Sequence, residues 1–313
     1  MAHLVTVFGG SGFVGRHLVR RLAHQGYRVR VAVRDTEGAH FLKPFGNVGQ
    51  IVAVEINLGH EGSIKAAVAG ADIVVDLAGT MSGGQYQTVH VDGPAMIAEA
   101  ASKEGAKALV HISALGAAAD APSKYARSKA AGEEAVRAAY PAATILRPSL
   151  IFGPEDDLFN RFARLSGIGP VLIAPGNAEF QPVYVGDVAD AIMAAIGDPA
   201  HAGQTFSLGG PRRYTLRQIM ELTLATIDRE RVIISEPIGI AHLQALFLQL
   251  IPGGPLRMTP DQVRQLSVDN VVPEGAPGLA QLGIAPAAAE AIVPSYLALY
   301  RNPFSQRHAR PAR

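Results

Sequence analysis

Residues 4–15 read LVTVFGGSGFVG, and this stretch is the strongest indication of the fold. Residues 4–8 form an apolar run that predicts a short buried strand, and apolar residues between positions 13 and 22 recur at helical spacing. The turn between them has the form G-x-x-G-x-x-G, with its glycines at Gly9, Gly12 and Gly15. Such glycines allow a tight turn, let the backbone approach a pyrophosphate, and let the helix pack closely on the strand. The stretch therefore predicts a dinucleotide-binding strand–turn–helix unit.

Strands and helices alternate through the first two hundred residues. Apolar runs predict further strands at residues 29–33, 50–54, 73–77, 108–112, 143–146 and 205–208, with helical patterns between them. Near-continuous apolar strands separated by helices indicate a parallel sheet covered on both faces, and right-handed crossovers make it doubly wound. After about residue 150 the alternation stops and Pro and Gly become dense. We therefore predict an α/β fold: a doubly wound parallel sheet of the Rossmann type with a smaller C-terminal region.

The predicted division places a nucleotide-binding core in residues 1–150, completed by the later strand near residues 204–208. Residues 151–313 form the predicted C-terminal substrate or partner region, because Gly/Pro-rich loops over the carboxyl ends of strands commonly carry the substrate site.

Composition excludes several classes of protein. The 313 residues contain no cysteine, so a disulfide framework and a thiol nucleophile are excluded. Ten histidines are scattered without metal-ligand spacing, and we predict no metal site. The net charge of +1 gives no electrostatic footprint for nucleic acid, and we predict no such partner. The sequence shows neither a secretory leader nor an apolar run of about 20 residues, so we expect a cytoplasmic protein, with a peripheral position on the inner face of the membrane as an alternative.

The glycine-rich turn, the start of its helix and the end of the fourth strand supply most of the predicted nucleotide ligands. The pyrophosphate is expected to meet the free N–H groups and the positive end of the helix dipole. Small residues after the fourth strand let the backbone pass beside the adenosine half. The predicted ligands in these segments are Gly9, Ser11, Gly12, Phe13, Val14, Gly15, Ala78 and Gly79.

Arg34 and Asp35 follow the second strand, where the cofactor's ribose is recognised. A protein selective for NAD usually places an acid here to bind the ribose hydroxyls. Arg34 instead offers a forked, charge-assisted contact to a 2′-phosphate, whereas Asp35 would suit the ribose diol. We therefore predict a preference for NADP(H), and NAD(H) remains open.

Tyr125 and Lys129 form a Y-x-x-x-K pair in a predicted helix after the fifth strand, and residues four apart share a helix face. A nearby ammonium is expected to lower the pKa of the tyrosine, so that it passes protons while hydride moves to or from a nicotinamide. Lys129 is also predicted to hold the nicotinamide ribose. Ser113 is the candidate hydroxyl partner of this pair.

These motifs resemble the extended and atypical members of the short-chain dehydrogenase/reductase family. Besides the glycines and the Tyr125–Lys129 pair, residues 147–154 (RPSLIFGP) and 182–189 (PVYVGDVA) carry the resemblance. Active members have Ser or Thr just after the fifth strand to hydrogen-bond the substrate carbonyl, but here that position is Ala114. Ser113 stands one residue too early. The resemblance therefore implies an incomplete catalytic triad.

Within that family the chain is similar to the branch of the NADPH-binding accessory subunit of respiratory complex I and its bacterial relatives. The stretches that carry this resemblance are residues 43–50 (KPFGNVGQ), 125–133, 148–156 (PSLIFGPED), 181–185 (QPVYV), 259–263 (TPDQV) and 268–272 (VDNVV). In that branch the nucleotide is structural and the substrate pocket lacks a complete triad. The resemblance implies the same for this chain.

Residues 237–251 form an apolar stretch with two interpretations. It is either a buried helix or a surface that contacts a respiratory complex or the membrane. Three hypotheses of function remain open: an accessory NADP(H)-binding protein, an active NADP-dependent reductase, epimerase or dehydratase that uses Tyr125 and Lys129, and a regulatory redox sensor.

Overall fold

The computed structural model describes residues 3–81, 83–248 and 259–301. The strands, in chain order, are β1 (Leu4–Phe8), β2 (Arg28–Val33), β3 (Ile51–Glu55), β4 (Ile73–Asp76), β5 (Ala108–Ile112), β6 (Thr144–Pro148), β7 (Ile151–Phe152), β8 (Val171–Pro175), β9 (Glu179–Phe180), β10 (Val183–Tyr184), β11 (Thr205–Leu208), β12 (Tyr214–Thr215) and β13 (Val232–Glu236).

The α-helices are α1 (Phe13–His24), α2 (Glu61–Val68), α3 (Gly93–Lys103), α4 (Lys124–Ala139), α5 (Phe159–Ile168), α6 (Val185–Gly197), α7 (Leu216–Ile227), α8 (Ile238–Leu248), α9 (Pro260–Leu266) and α10 (Ala289–Leu297). A π-helix covers Gln87–Asp92 directly before α3. Short 3-10 segments cover Glu37–Phe45, Gly83–Gln85, Pro199–His201, Ala280–Leu282 and Ala298–Tyr300.

Two compact units make up the chain, and neither is continuous in sequence. The first comprises Met1–Pro148, Val185–Leu208 and Val272–Ala285. The second comprises Ser149–Tyr184, Gly209–Val271 and Pro286–Arg313.

A seven-stranded parallel sheet forms the centre of the first unit, in the order β11-β6-β5-β4-β1-β2-β3. The chain builds outward from β1 to β3 and then, starting at β4, in the opposite direction, so the strand order reverses between β1 and β4. In open α/β sheets, ligands bind outside the carboxyl ends of the strands at such a reversal. The predicted doubly wound Rossmann sheet is confirmed.

Helices cover this sheet because its strands bury both faces. On one face, Phe8, Val74 and Ile145 are fully buried in a cluster that includes side chains from α2, α3 and α4. Full burial of each such side chain contributes about 1.5–3 kcal/mol. Elsewhere in this unit α1 contacts α6, and Arg21 of α1 forms an ion pair with Asp190 of α6 at 2.6 Å.

The predicted strands 4–8, 108–112 and 205–208 have the observed bounds, and the others differ by one or two residues. Gln50 was expected to begin the third strand but precedes β3. Its side-chain amide donates hydrogen bonds to the carbonyls of Ala23 and Tyr27 at 2.7 and 2.9 Å. A polar side chain satisfied in this way serves the turn before the strand.

The second unit contains three strand pairs: β7 with β10 and β8 with β13 in parallel, and β9 with β12 antiparallel. Its core is a cluster of buried side chains from β7 and from helices α5, α7 and α10, including Phe152, Phe159, Ile219, Val293 and Leu297.

Hydrogen bonds join three stretches of the second unit that are far apart in sequence. The Ser149 hydroxyl donates to the side-chain oxygen of Asn270 at 2.7 Å, and the Asn270 N–H donates to the Glu179 carbonyl at 2.7 Å. The Glu179 N–H in turn donates to the Asp269 carboxylate at 2.8 Å. The Asp-Asn pair of the downstream VDNVV stretch thus acts as a structural tie.

Helix α8 covers most of the apolar stretch 237–251, whose last three residues lie outside the described part of the chain. One face of this helix is buried and another is exposed. Ala241 and Ala245 are buried with Val263 of α9. On the other face Ile240, Leu243 and Leu246 are each at least half exposed.

Candidate functional site

The turn after β1 has the geometry that a dinucleotide pyrophosphate requires. Gly9 has a φ of +73°, a conformation that favours glycine, and its N–H donates to the Ala32 carbonyl at 3.0 Å. A Cβ on Gly15 would lie 2.5 Å from the backbone of Gly9 and Gly10, so only glycine lets α1 pack this closely on the turn. The N-terminal N–H groups of α1 are therefore presented directly after the turn, where an anion binds favourably.

A cavity of about 430 Å³ lies at the reversal of strand order between β1 and β4. Its size falls within the range of small-molecule sites. The lining residues come from the ends of β1, β2, β3 and β4 and from the segment before α3: Phe8, Gly9, Ser11, Gly12, Ala32, Val33, Arg34, Ile56, Asn57, Leu58, Leu77, Ala78, Gly79, Thr80, Gln85, Thr88 and Val89.

The structure separates the predicted nucleotide residues into two groups. Those that line the cavity are Gly9, Ser11, Gly12, Arg34, Ala78 and Gly79. Those outside the lining are Phe13, Val14, Gly15, Asp35 and Lys129. Phe13 and Val14 lie in the first turn of α1, so their backbone, more than their side chains, belongs to the anion-binding end of the helix.

Arg34 and Asp35 differ in their surroundings. Arg34 is exposed and lines the cavity. The Asp35 carboxylate accepts a hydrogen bond from the Gly38 N–H at 2.9 Å and so stabilises the turn that follows β2. The charged group at this edge of the cavity is therefore the cationic guanidinium of Arg34 and not the Asp35 carboxylate.

Several lining residues were not predicted from the sequence. Arg34 directly follows β2, and the residue in the same place after β3 is Ile56, which also lines the cavity. Asn57 lies one residue further on, so the rule applied to the second strand would not have identified it. Thr80, Thr88 and Val89 had no comparable signal, because they lie in a loop and in an irregular π-helix.

A buried hydrogen-bonded pair, Asp76 and His111, supports the backbone of the cavity wall at Ala78. The Asp76 carboxylate contacts Nδ1 of His111 at 2.8 Å and accepts the Ala78 N–H at 3.0 Å. Both side chains are almost fully buried at the ends of neighbouring strands β4 and β5. The pair fixes a backbone segment that the cofactor would contact, and sequence reasoning missed it.

Tyr125 and Lys129 lie one turn apart near the start of α4, as predicted. The Ser123 hydroxyl caps the helix by accepting the Ala126 N–H at 3.1 Å. Lys129 is 3% exposed, and its Nζ donates to the Ile112 carbonyl at 2.9 Å. A Cβ on Gly79 would lie 4.0 Å from this Nζ, so the ammonium is close to the cavity wall. Burial lowers the pKa of Lys129 to about 8.

The expected lowering of the Tyr125 pKa is wrong for this structure. Burial and the neighbouring Tyr86 raise the pKa of Tyr125 to about 12. Tyr125 is therefore a neutral phenol throughout the physiological range.

Ser113 follows the last residue of β5, and its N–H donates to the Leu146 carbonyl at 2.8 Å. Its hydroxyl is buried and has no hydrogen-bond partner in the described part of the chain, so it is not bonded to Tyr125. Ser113 also lies outside the cavity lining. Tyr125 and Lys129 thus lie on the same part of α4, whereas the Ser113 hydroxyl is bonded to neither of them.

Asp156 differs from the adjacent Asp157 in its surroundings. Its carboxylate is buried and accepts hydrogen bonds from the N–H groups of Gly153 and Asn160 and from the Tyr296 hydroxyl. Asp157 is exposed.

A glycine-rich turn at the strand-order reversal of a parallel sheet, with a Tyr–Lys pair close to the same cavity, defines a Rossmann protein that binds a nicotinamide dinucleotide. The model of the NAD dependent epimerase/dehydratase family matches residues 5–209. The chain belongs to this family.

Individual relatives agree with this assignment. The mouse mitochondrial protein "NADH dehydrogenase [ubiquinone] 1 alpha subcomplex subunit 9" is 34% identical over 293 residues, which cover 92% of this chain and 78% of that protein. The predicted resemblance to the complex I accessory subunit is therefore confirmed. "Ceramide reductase" of Caulobacter vibrioides is 36% identical over 202 residues, or 63% of this chain and 62% of that protein.

The NADPH complex of the Escherichia coli quinone oxidoreductase QOR2 has a similar structure. It superposes with a TM-score of 0.75 at 18% identity and covers 94% of this chain and 99% of the other. This similarity concerns the fold.

Proposed function

We propose that the chain is an accessory protein that holds NADP(H) largely without turning it over. The observation that carries the proposal is the Ser113 hydroxyl, which is buried, lies outside the cavity lining and is not bonded to Tyr125. A reductase of this type needs a hydrogen-bond donor beside the tyrosine to polarise the substrate carbonyl. Ala114, the next residue, has no such donor.

The residues of the cavity fit the nucleotide. The turn at Gly9 and Gly12 and the start of α1 would hold the pyrophosphate, and Gly15 would keep the helix close to it. Arg34 would pair with the 2′-phosphate, which favours NADP(H) over NAD(H). Lys129 would hold the nicotinamide ribose from the neighbouring wall. When bound, the cofactor supplies a hydride donor or acceptor.

The test is single-turnover absorbance of the purified protein. Any nucleotide that copurifies is released and identified, and loss of NADPH absorbance is then followed with quinones, ketones, sugar nucleotides and ceramide. Retained NADPH that stays reduced against every compound, and that a Tyr125→Phe variant binds equally well, is the expected result. Consumption of NADPH that Tyr125→Phe abolishes would overturn the proposal.

That second outcome defines the alternative function, an active NADP-dependent reductase, epimerase or dehydratase. The intact Tyr125–Lys129 geometry and the relative named ceramide reductase favour it. In this case Tyr125 would deliver a proton as a neutral phenol, and a group other than Ser113 would have to orient the substrate carbonyl.

We further propose that the exposed face of α8 contacts a respiratory assembly or the adjacent membrane surface. The name of the mouse relative describes a subunit of a respiratory enzyme. Ile240, Leu243 and Leu246 present a contiguous apolar strip, and such strips commonly mark interaction surfaces. No helix among the described residues is long and apolar enough to cross a membrane.

Native electrophoresis of solubilised membranes tests this contact. The chain is expected to migrate with NADH:quinone oxidoreductase activity, and Leu243→Glu is expected to release it. Leu299→Glu adds the same charge at another exposed apolar position of the second unit and is the matched control. Equal migration of the wild type and Leu243→Glu would contradict the assignment of this face.

A further inference from the structure

His90 occupies an unusual position between the cavity and the Tyr–Lys pair. It lies within the π-helix Gln87–Asp92, and its side chain is fully buried. A π-helix adds a residue to a helical turn and so redirects the side chains that follow, and such turns occur frequently at functional sites. Thr88 and Val89 of the same turn line the cavity.

The hydrogen bonds that pass through His90 are all donated in the same direction, from Thr80 toward Tyr125. The Thr80 N–H donates to Nε2 of His90 at 3.1 Å, so this nitrogen carries no proton. Nδ1 lies 2.8 Å from the Ser128 hydroxyl, and in the neutral imidazole it must be the donor. The Ser128 hydroxyl donates in turn to the backbone carbonyl of Tyr125 at 2.7 Å. A continuous chain of bonds therefore leads from the cavity wall at Thr80 to the first turn of α4.

Aromatic contacts reinforce these bonds. The His90 ring stacks on Tyr86, with ring centroids 5.1 Å apart, and meets the edge of Tyr125 at 5.4 Å. Tyr86 and Tyr125 also contact each other edge to face at 6.0 Å. Edge-to-face and offset-stacked rings prefer such separations.

A close backbone approach holds the two helices together. A Cβ on Gly132 of α4 would overlap the carbonyl oxygen of His90, so glycine is required there. Burial, followed by the charge of Lys129, lowers the pKa of His90 to about 3. The imidazole is therefore neutral at every physiological pH, and the proton assignment above is maintained.

We propose that His90 is a positioning residue that couples the Thr80 wall of the cavity to the Tyr125 phenol, acting as a neutral imidazole with its proton on Nδ1. The part of the inference that concerns nucleotide rests on the proposed cofactor site. A cofactor that contacts Thr80 would affect the position of the Tyr125 side chain through His90. The phenol would then be held at a fixed place beside the cavity.

Two variants separate positioning from packing. His90→Asn can retain an acceptor for the Thr80 N–H and a donor for Ser128, whereas His90→Phe retains a ring and loses both bonds. With His90→Phe, NADPH binding is expected to weaken on the order of tenfold, since the Thr80 N–H and the Ser128 hydroxyl, both half-buried, each lose a hydrogen bond to His90. Loss of the bond to Ser128 is also expected to loosen the Tyr125 ring and to admit water to its hydroxyl. Ionisation of Tyr125, followed by tyrosinate absorbance and assigned with Tyr125→Phe, should then move from about pH 12 toward the ordinary value near 10.

In the His90→Asn variant, the NADPH affinity and the pH at which Tyr125 ionises are both expected to stay near their wild-type values. Equal losses in the two variants, or no loss in either, would show that His90 only fills space and would overturn the proposal.

Nitrogen NMR of the ¹⁵N-histidine-labelled wild type provides a second test, for which a variant serves only to assign the His90 signal. Between pH 5 and 8, the signal that His90→Asn or, failing that, His90→Phe removes should report a neutral ring protonated at Nδ1. Protonation at Nε2, or titration in this range, would overturn the proposal. The Tyr125 ionisation and the His90 nitrogen signal are measured without nucleotide. A wild type that fails to bind NADPH would therefore refute the cofactor proposal alone, and the Tyr125 and His90 signals would still decide the role of His90.

Discussion

The ammonium of Lys129 donates a hydrogen bond to the backbone carbonyl of Ile112, 2.9 Å away, at the last residue of β5. This contact directs the buried charge to the strand end immediately before Ser113. The pKa of Lys129 is lowered to about 8 mainly because burial disfavours its charged form.

Stability of the nucleotide-free protein should therefore rise between about pH 8 and pH 9.5. In this interval the folded protein has lost the Lys129 proton, whereas the unfolded chain, with a lysine pKa near 10.4, still holds it. Urea unfolding of the wild type against Lys129→Met measures the effect, and the difference in free energy of unfolding should change with pH in this interval. Lys124→Met, at an exposed position of the same helix, should show no such change. A pH-independent difference for Lys129→Met would contradict the prediction.

Arg34→Ala should weaken NADPH binding about 10- to 100-fold, because the proposed charge-assisted contact to the 2′-phosphate would be lost. NADH binding should remain nearly unchanged. Calorimetric titration with both nucleotides measures the difference. Arg28→Ala removes the same charge at the other end of β2 and serves as the control. Equal weakening of NADH and NADPH by Arg34→Ala would show that Arg34 does not contact the 2′-phosphate.

Gly132→Ala should destabilise the protein although alanine favours helices. The new methyl group would overlap the His90 carbonyl oxygen, and overpacking of this kind costs about 1–3 kcal/mol. The gain in helix propensity is at most about 1 kcal/mol. Gly197→Ala at the end of α6, where a Cβ meets nothing within 4 Å, should be neutral or stabilising in thermal unfolding. A stabilised Gly132→Ala variant would show that α4 and the π-helix separate readily.

Asp156→Asn and Asp157→Asn should have very different effects on stability. At position 156 the new amide group would face donors from Gly153, Asn160 and Tyr296, which costs about 1–3 kcal/mol. Asp157 is 79% exposed, and its substitution should change the free energy of unfolding by less than about 0.5 kcal/mol. Chemical denaturation of both variants measures the difference. Similar values for the two would mean that Asp156 is not held as described.

The sequence was sufficient to predict the parallel sheet because its strands are continuous apolar runs and its first turn has a specific glycine pattern. It was also sufficient to place Arg34 at the cavity and Tyr125 next to Lys129. The sequence did not predict properties that depend on burial. The spacing of Tyr125 and Lys129 does not show how far the Tyr125 hydroxyl is buried away from water, and this burial decides the direction of its pKa shift.

Other features had no signal of the kind that sequence reasoning uses. The π-helix that contains His90 follows neither the 3.6-residue nor the 2-residue period. Strands β7, β9, β10 and β12 have two residues each, too few for any periodicity. The Asp76–His111 pair depends on two strands lying side by side, and the sequence alone does not give that register.

The tie between Ser149 and Asn270 has a consequence for synthesis of the protein. Its two residues are 121 positions apart, and β11, which completes the parallel sheet, is bonded through the Ser207 N–H to the carbonyl of Pro277. Contacts between residues this far apart in sequence can form only after the later residue has been synthesised. The ribosome therefore has to deliver residues 270 and 277 before these contacts of the two units can form. Until then the apolar strands of the nascent chain remain exposed and can bind chaperones. A chain that terminates soon after the glycine-rich segment would be an unfolded substrate for proteases and not a small nucleotide-binding domain.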